Sequence, residues 1–169
     1  MNSFSDPILR NGADVLVVGS AVVSELKVLA ARCGRRRSRL LMHHSSDDLV
    51  QEMLIAFQRG SFMPPHRHPP GKSESYHIIE GEMDVCLFDD EGALTRVIRL
   101  AAGGPEFMYR VSGGIWHMPL PVTEWIVYHE VYTGPFRKDR DVEFPVWAPD
   151  EADAVHVRRF LSQRQLLKS

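Results

Sequence analysis

The stretch Gly60-Ser-Phe-Met-Pro-Pro-His66-Arg-His68-Pro-Pro-Gly-Lys-Ser-Glu74-Ser-Tyr-His-Ile-Ile-Glu-Gly81 carries the most specific pattern in this sequence of 169 residues. Side chains two positions apart in an extended strand point the same way, so His66 and His68 can reach one metal ion together. The Pro-Pro-Gly-Lys-Ser loop that follows reverses the chain and brings Glu74 beside them. Imidazole and carboxylate groups in this arrangement are typical ligands of a transition metal.

A fourth ligand candidate is His117, in the later sequence Gly114-Ile-Trp-His117. It has to come from a distant strand, which a β-structure that rolls up on itself provides. The pattern predicts one divalent transition metal (Zn, Fe, Mn, Ni or Cu), and affinity order alone does not choose among them. Tetrahedral zinc held by all of these ligands would be closed and structural, whereas a five- or six-coordinate metal would keep open positions. The alternative is a metal-free structure in which these side chains hydrogen-bond to one another.

Length, charge and cysteine content set broad limits on the chain. A single domain is the natural expectation for 169 residues, and a formal net charge of −2 gives no basic field for nucleic acid or an anionic membrane. Cys33 and Cys86 are far apart and are expected to be reduced and buried, which favours the cytoplasm. The apolar run at 15–18 is too short to span a membrane, and no basic segment precedes it as in a secretory signal.

Strand signals dominate the middle of the sequence. Short apolar runs at 53–57, 76–79, 83–88, 95–100 and 125–132 are separated by turn-forming Gly, Pro and Asp residues. Many short strands at near-regular spacing favour a sandwich or barrel over alternating strand–helix units. The prediction is a mainly β protein.

Helices are predicted at both ends of the chain. Ser20 is expected to cap a helix that runs to about Cys33, with Gly34 as its stop. Asp150 is expected to cap a final helix, whose apolar face would hold Val157, Phe160, Leu161 and Leu167. The predicted organisation is an extension with a helix at 1–39, a β-barrel at 40–149 and a helical tail at 150–169, all in one structural domain.

The two histidine motifs resemble the signature motifs of the cupin superfamily. The first motif is matched at Gly60, His66, His68, Glu74 and Gly81, and the second at Gly114 and His117. Ser112 stands where the family pattern has proline, and Pro121 stands where many members have asparagine. The resemblance implies a single jelly-roll-like β-barrel whose mouth holds a metal ion, with His66, His68, Glu74 and His117 as the ligands.

A narrower resemblance, to WbuC-type cupin-fold metalloproteins, covers roughly residues 25–151. It rests on the segments HHSSDD at 43–48, VQEML at 50–54, PHRHPP at 65–70, LFDDEG at 87–92, GIWH at 114–117, VYTGPF at 131–136 and FPVWAP at 144–149. Members of that family often accompany surface-polysaccharide genes, and their reaction is not established. The resemblance therefore implies a small-molecule ligand related to carbohydrates. Ser73 departs from it, since an aromatic residue is common there.

Glu130 and Tyr76 are the candidate catalytic residues. Tyr76 shares the face of Glu74 by the strand period of two, and Glu130 shares a face with Tyr128 and Tyr132. A carboxylate inside a barrel is costly unless it is paired or used, so Glu130 is the best candidate general acid or base. The alternative for Glu130 is a hydrogen-bonded structural acid. His77 points to the opposite face and is interpreted as a packing or interface residue.

Other notable residues leave two interpretations open. His43 and His44 precede the predicted barrel and could reach its mouth or form a surface pair. The arginine cluster at 35–37 and 39 is either a solvated connector or part of an anion-binding rim. Trp116 is expected in the pocket wall or the core.

Three functional hypotheses follow from these observations. The first is a metal-dependent isomerase or epimerase acting on a sugar or sugar-nucleotide-like molecule. The second is a non-heme iron dioxygenase, because imidazole and carboxylate ligands with open positions also describe that class. The third is a non-catalytic binding module organised by the metal. A homodimer is expected, since a second subunit would cover exposed sheet edges; nucleic-acid and membrane partners are not.

Overall fold

A computed structural model describes residues 7–167 of the chain, so the extreme ends of the predicted extension at 1–39 and tail at 150–169 lie outside the described residues. The elements of the described part follow in chain order: β1 (Ile8–Arg10), α1 (Ser20–Arg32), β2 (Arg37–Leu41), β3 (Val50–Gln58), β4 (Ser73–Glu80), β5 (Glu82–Phe88), β6 (Leu94–Ala101), β7 (Met108–Ser112), β8 (Trp116–Pro121), β9 (Trp125–Thr133) and α2 (Ala154–Gln163). The chain is thus mainly β, as the sequence predicts.

The strands form two sheets that pack face to face. One sheet has the order β1-β2-β3-β9-β4-β7 and the other has the order β6-β5-β8. The strands of the described residues pair antiparallel, except that β1 runs parallel to β2. Alternate residues of both sheets point inward and form the main core: Ile55, Phe57, Tyr76, Ile78, Met83, Val85, Leu100, Ile126 and Tyr128. This arrangement is consistent with a jelly roll.

Each helix covers the outer face of one sheet. Leu26 of α1 packs with Leu40, Leu54, Ala56 and Val127 on the back of the larger sheet. On the back of the smaller sheet, α2 contributes to a cluster that consists of Phe62, Cys86, Phe88, Trp116, Met118, Phe160, Leu161 and Leu166. The layers are therefore helix, sheet, sheet and helix, and the main core lies between the two sheets.

The predicted helix caps are wrong in detail. The N-cap of α1 is Gly19, and Ser20 is already inside the helix. The N-cap of α2 is Asp153, whose side chain accepts from the backbone N–H of His156, while Asp150 accepts from Ala152 in the preceding turn. Both predictions failed because several cap-forming residues stand close together and only the backbone conformation chooses between them.

The end of the chain also departs from the helical pattern. Leu166 is buried, whereas Leu167, which was predicted on the apolar face, is half exposed. The reason is that α2 ends at Gln163, so helical spacing no longer applies beyond it. Within residues 7–167, neither helix combines the length and the apolar character needed to cross a membrane.

All the predicted strand runs lie within observed strands, and β1, β2, β7 and β8 were missed. The strand β2 begins inside the arginine cluster. It therefore crosses the predicted boundary between the extension at 1–39 and the barrel at 40–149. The strand β8 has the sequence WHMPLP, in which two prolines weaken the strand signal. Its place beside β5 matters, because β8 carries His117 into the space between the sheets.

Candidate metal centre

The structure brings together the four residues that were predicted as metal ligands. His66 and His68 lie between β3 and β4, Glu74 is on β4 and His117 is on β8. One ligand atom from each residue lies within 4.8 Å of every other, and all four residues are buried. We refer to His66, His68, Glu74 and His117 as the histidine cluster. Their role as ligands remains a prediction.

Backbone hydrogen bonds join the two motifs that supply the cluster. The N–H of His66 donates to the carbonyl of His117 at 3.0 Å, and the N–H of His117 donates back at 2.9 Å. Gly113 fits against the first motif so closely that a Cβ there would lie 2.0 Å from the carbonyl oxygen of Pro69. The N–H of Gly114 donates to the carbonyl of His68 at 2.7 Å. The glycines before His117 therefore dock one motif on the other.

The three imidazole rings are all held in the same way. Each Nδ1 lies within hydrogen-bonding distance of a backbone carbonyl oxygen: His66 with Pro64 at 3.0 Å, His68 with Asp141 at 2.7 Å, and His117 with Ile115 at 2.9 Å. A carbonyl oxygen only accepts, so each Nδ1 carries the hydrogen. This assignment from geometry leaves every Nε2 as the free ring nitrogen, which is the usual arrangement of a metal-binding histidine.

The Nε2 atoms approach the carboxylate of Glu74. His117 Nε2 lies 3.0 Å from Oε2 and His68 Nε2 lies 3.4 Å from Oε1, while His68 Nε2 is buried with no hydrogen-bond partner. Neutral Nε2 atoms and a carboxylate are all acceptors, so a proton or a cation has to lie among them. Nitrogen and oxygen donors of this kind fit a transition-metal ion. The chemistry of the cluster therefore fits a metal ion.

The electrostatics of the cluster agree with this arrangement. Burial alone would raise the pKa of Glu74, but its contacts with His117 and His68 outweigh burial and hold that pKa well below its usual range. Burial, together with the neighbouring His117, lowers the pKa of His66 to about 3, so this ring is neutral at physiological pH. An ionised carboxylate beside a neutral imidazole is the state that a metal ion requires.

A segment after β9 supports the cluster, and sequence reasoning missed it. Asp141 is buried, and its carbonyl oxygen holds His68. The carboxylate of Asp141 accepts from the N–H of Arg137 at 2.6 Å, and the side chain of Lys72 donates to the carbonyls of Thr133 and Pro135. No side-chain pattern could have revealed this function, because the group that contacts His68 belongs to the backbone.

Glu130 and Tyr76, the candidate catalytic residues, lie opposite each other on β9 and β4, facing inward. Burial raises the pKa of Glu130 well above its usual value, the charge of Glu74 raises it further and Arg39 opposes both. Tyr76 is buried, and burial followed by the charges of Glu74 and Glu130 raises its pKa. Burial and the neighbouring charges therefore favour the protonated form of both side chains, and their catalytic roles remain predictions.

The histidine cluster does not include the other histidines and the tryptophan that the sequence singles out. His77 is exposed on the outer face of β4. Trp116 lies in the core behind the smaller sheet, where its indole N–H donates to Asp90 at 2.8 Å, so it does not line the site. The Nδ1 of His43 accepts from the backbone N–H of Glu52, and His44 belongs to the surface turn. Neither of these histidines joins the cluster.

The arginine cluster has a structural role at two of its positions. Arg37 is 3 % exposed, donates to the carbonyl of Phe62 at 2.8 Å and pairs with Glu151. Arg35 pairs with the same carboxylate. These two arginines connect β2 to the segment before α2. They therefore fit neither of the two interpretations that the sequence left open, a solvated connector or an anion-binding rim.

Comparisons with known proteins support the fold. The model of a domain of unknown function, DUF6016, matches residues 18–100, which include the first histidine motif but not His117. Protein SO0799 from Shewanella oneidensis has a similar structure, with a TM-score of 0.55 and 16 % identity over 78 % of this chain and 85 % of that protein. No match was found among curated proteins.

Two further structures are similar. An uncharacterised Klebsiella pneumoniae protein with a double-stranded β-helix domain has a TM-score of 0.50 and 15 % identity over 64 % of this chain and 79 % of its own. A mutant of the oxalate decarboxylase from Bacillus subtilis has a TM-score of 0.50 and 14 % identity over 64 % of this chain and 27 % of its own. The fold is therefore that of a double-stranded β-helix, and it holds a buried histidine cluster whose donor atoms fit a metal ion.

Proposed function

We propose that this chain is a metal-dependent enzyme of the WbuC type that acts on a sugar or sugar-nucleotide-like molecule. The observation that carries the proposal is the common orientation of the three imidazoles. A backbone carbonyl holds each Nδ1, so all three Nε2 atoms are free to face the Glu74 carboxylate. Such preorganisation of buried ligands serves a metal ion better than it serves stability, because buried polar groups are costly.

The chemistry we propose is isomerisation or epimerisation. A divalent metal held by the histidine cluster would polarise a carbonyl or hydroxyl group of the bound molecule as a Lewis acid. Glu130 is the proposed proton carrier, since burial raises its pKa and so favours a transferable proton on this carboxyl group. Glu130 would donate this proton to one substrate atom and recover a proton from another. The reaction is balanced without any further reactant.

The class of substrate rests on the resemblance to WbuC-type proteins, whose genes often accompany surface-polysaccharide genes. The segments that carry this resemblance include the turn with Asp48 and the segment with Pro135, which meet in the structure through the hydrogen bonds of Ser46 with Phe136 and Leu49 with Gly134. The segment with Pro135 contacts the loop between His68 and Glu74, because Lys72 in that loop donates to the carbonyl of Pro135. We also propose a cytoplasmic location. We further propose that the chain forms a homodimer, which size measurement in solution would test.

Elemental analysis of protein purified without added metal tests the metal site. The proposal predicts about one equivalent of a divalent transition metal. Zinc or manganese would support Lewis-acid chemistry, and absence of bound metal under all growth conditions would contradict the proposal. Turnover or saturable binding should then appear within a broad panel of nucleotide sugars, and a panel without any affinity would argue against the sugar class.

Oxygen chemistry is the second candidate function, and the donor set favours it. Imidazole and carboxylate ligands at one site also suit non-heme iron. Iron in the purified protein, with oxygen consumption in the presence of a candidate substrate, would select this function. If no metal supports turnover and Glu130→Gln leaves ligand affinity and metal content unchanged, the chain is a binding module instead.

A further inference from the structure

A second group of polar side chains, of which two are buried and one is partly buried, lies beyond the histidine cluster, between the sheets. It consists of Tyr109 on β7 and of Tyr128 and Glu130 on β9, and we refer to it as the inner polar layer. Glu130 lies opposite Tyr76, and Tyr76 in turn lies opposite Tyr109. Because Tyr76 follows Glu74 on the same face of β4, the inner polar layer continues the surface of the cluster into the interior.

The hydroxyl groups of this layer lack partners. The hydroxyl oxygens of Tyr109 and Tyr128 are both buried without a hydrogen bond to any described residue. Tyr128 is fully buried, with its ring 4.9 Å from that of Tyr76, and the ring of Tyr109 lies 5.3 Å from that of Tyr76. Buried hydroxyl groups in folded proteins are normally hydrogen-bonded, and leaving them unpaired destabilises the fold. Phenylalanine would supply the same ring packing without this cost.

The inner polar layer lies next to the histidine cluster, and the charges of the two groups affect each other. Glu130 lies opposite Tyr76, which is two positions from Glu74 on β4, so the two carboxylates are neighbours on the inward face of the sheet. After burial, the charges of Glu74 and Glu130 are what raise the pKa of both Tyr109 and Tyr128. The phenols therefore lie within electrostatic range of both carboxylates.

We propose that Tyr109 and Tyr128, with Glu130, bind the hydroxyl groups of a polyhydroxylated molecule whose carboxylate or carbonyl end lies at the histidine cluster. A phenol both donates and accepts, which matches an alcohol that does the same. A buried site built to bond hydroxyl groups rejects analogues that lack them, because its own polar groups then stay unpaired. This inference rests on the proposed function and names the residues that would set its specificity.

The test compares two probes by calorimetry on protein that carries the metal with which it was purified. D-gluconate presents a carboxylate and a row of hydroxyl groups, and hexanoate has the same chain length without hydroxyls. We expect gluconate to bind at least about tenfold more tightly, in line with the weight of buried hydroxyl recognition. Tyr109→Phe and Tyr128→Phe together should remove this preference while metal content and cooperative unfolding are retained.

Ser75→Ala is the matched control, because Ser75 lies on the opposite face of β4 and should leave the preference unchanged. Equal affinity for the two probes, absence of gluconate binding, or a preference that survives the double substitution would each overturn the inference. Metal analysis of the same samples separates the two proposals. Wild-type protein without metal contradicts the proposed function, whereas metal-containing protein without hydroxyl preference contradicts only the inference.

Discussion

The histidine cluster and the inner polar layer are both buried and polar, yet they differ in how their polar atoms are supported. Each imidazole of the cluster has one nitrogen fixed by a backbone carbonyl, so the opposite nitrogen is aimed at a common point. In the inner polar layer, the hydroxyl groups of Tyr109 and Tyr128 have no partner among the described residues. The rings of the first group are oriented by backbone groups of the protein, whereas no described residue fixes the hydroxyl groups of the second.

The backbone explains this difference. His66 and His117 lie where strands begin or loops approach, and nearby carbonyl groups such as those of Pro64 and Ile115 are free to hold the rings. Tyr128 lies in the middle of β9, which pairs on both sides, so the strand ladders already use the neighbouring backbone groups. Regular strands can place a side chain inside the sandwich, but they offer no spare carbonyl to hold it.

The largest expected effect is on metal content. His66→Ala and His117→Ala should each lose stoichiometric metal, because each removes one of four ligands that lie within 4.8 Å of one another. Elemental analysis of the purified variants measures this directly. His77→Ala is the control, since His77 is exposed on the outer face of β4. Full metal retention in both cluster variants would show that the histidine cluster is not the metal site.

A smaller effect is expected from pH. Burial disfavours the charged form of His68, but the contact with Glu74 outweighs burial and raises the pKa of His68, so in the metal-free protein this ring holds a proton into the neutral range. The stabilisation from this pair is present at low pH and is lost as the pH rises through the raised pKa. A metal ion has to displace the same proton. Metal affinity should therefore fall about tenfold for each pH unit below that pKa.

Competition with a chromophoric chelator between pH 5 and pH 8 would measure this dependence. His66 should contribute little, because its pKa of about 3 leaves it neutral throughout this range. Affinity that does not change with pH would mean that the Nε2 of His68 carries no proton to displace.

The sequence predicted the cluster well and its surroundings poorly, for a physical reason. Spacing places His66 and His68 on one side of an extended chain, and the fold resemblance brings in Glu74 and His117. The carbonyl of Asp141 holds His68, yet no sequence pattern pointed to this residue. Backbone groups leave no trace in side-chain chemistry, so a sequence does not show which carbonyl will support which ring.

Local sequence patterns likewise predicted only part of the fold. The apolar runs predicted β3, β4, β5, β6 and β9, because their side chains alternate between two faces or remain apolar throughout. The strand β2 escaped notice because Arg37 and Arg39 occupy its inward positions, opposite Phe57 and Ile55. Arginine at such positions is stabilised by partners far away in sequence, as Glu151 stabilises Arg37. Strands that depend on such partners are not visible in local patterns.

The smallest effect tests the inner polar layer in the absence of any bound small molecule. Tyr128→Phe should raise the free energy of unfolding by about 1 kcal/mol, because it removes a buried hydroxyl that has no partner among the described residues and keeps the ring packing against Phe57 and Tyr76. This corresponds to a rise of about 2–4 °C in Tm for a chain of this size. Thermal and denaturant unfolding of the metal-containing protein would measure it.

Tyr132→Phe is the matched control, since the hydroxyl of Tyr132 donates to the Asp141 carbonyl at 3.5 Å, and it should give no increase. If Tyr128→Phe instead lowers stability, its hydroxyl already has a partner such as buried water, and the two polar groups do not differ in the way described.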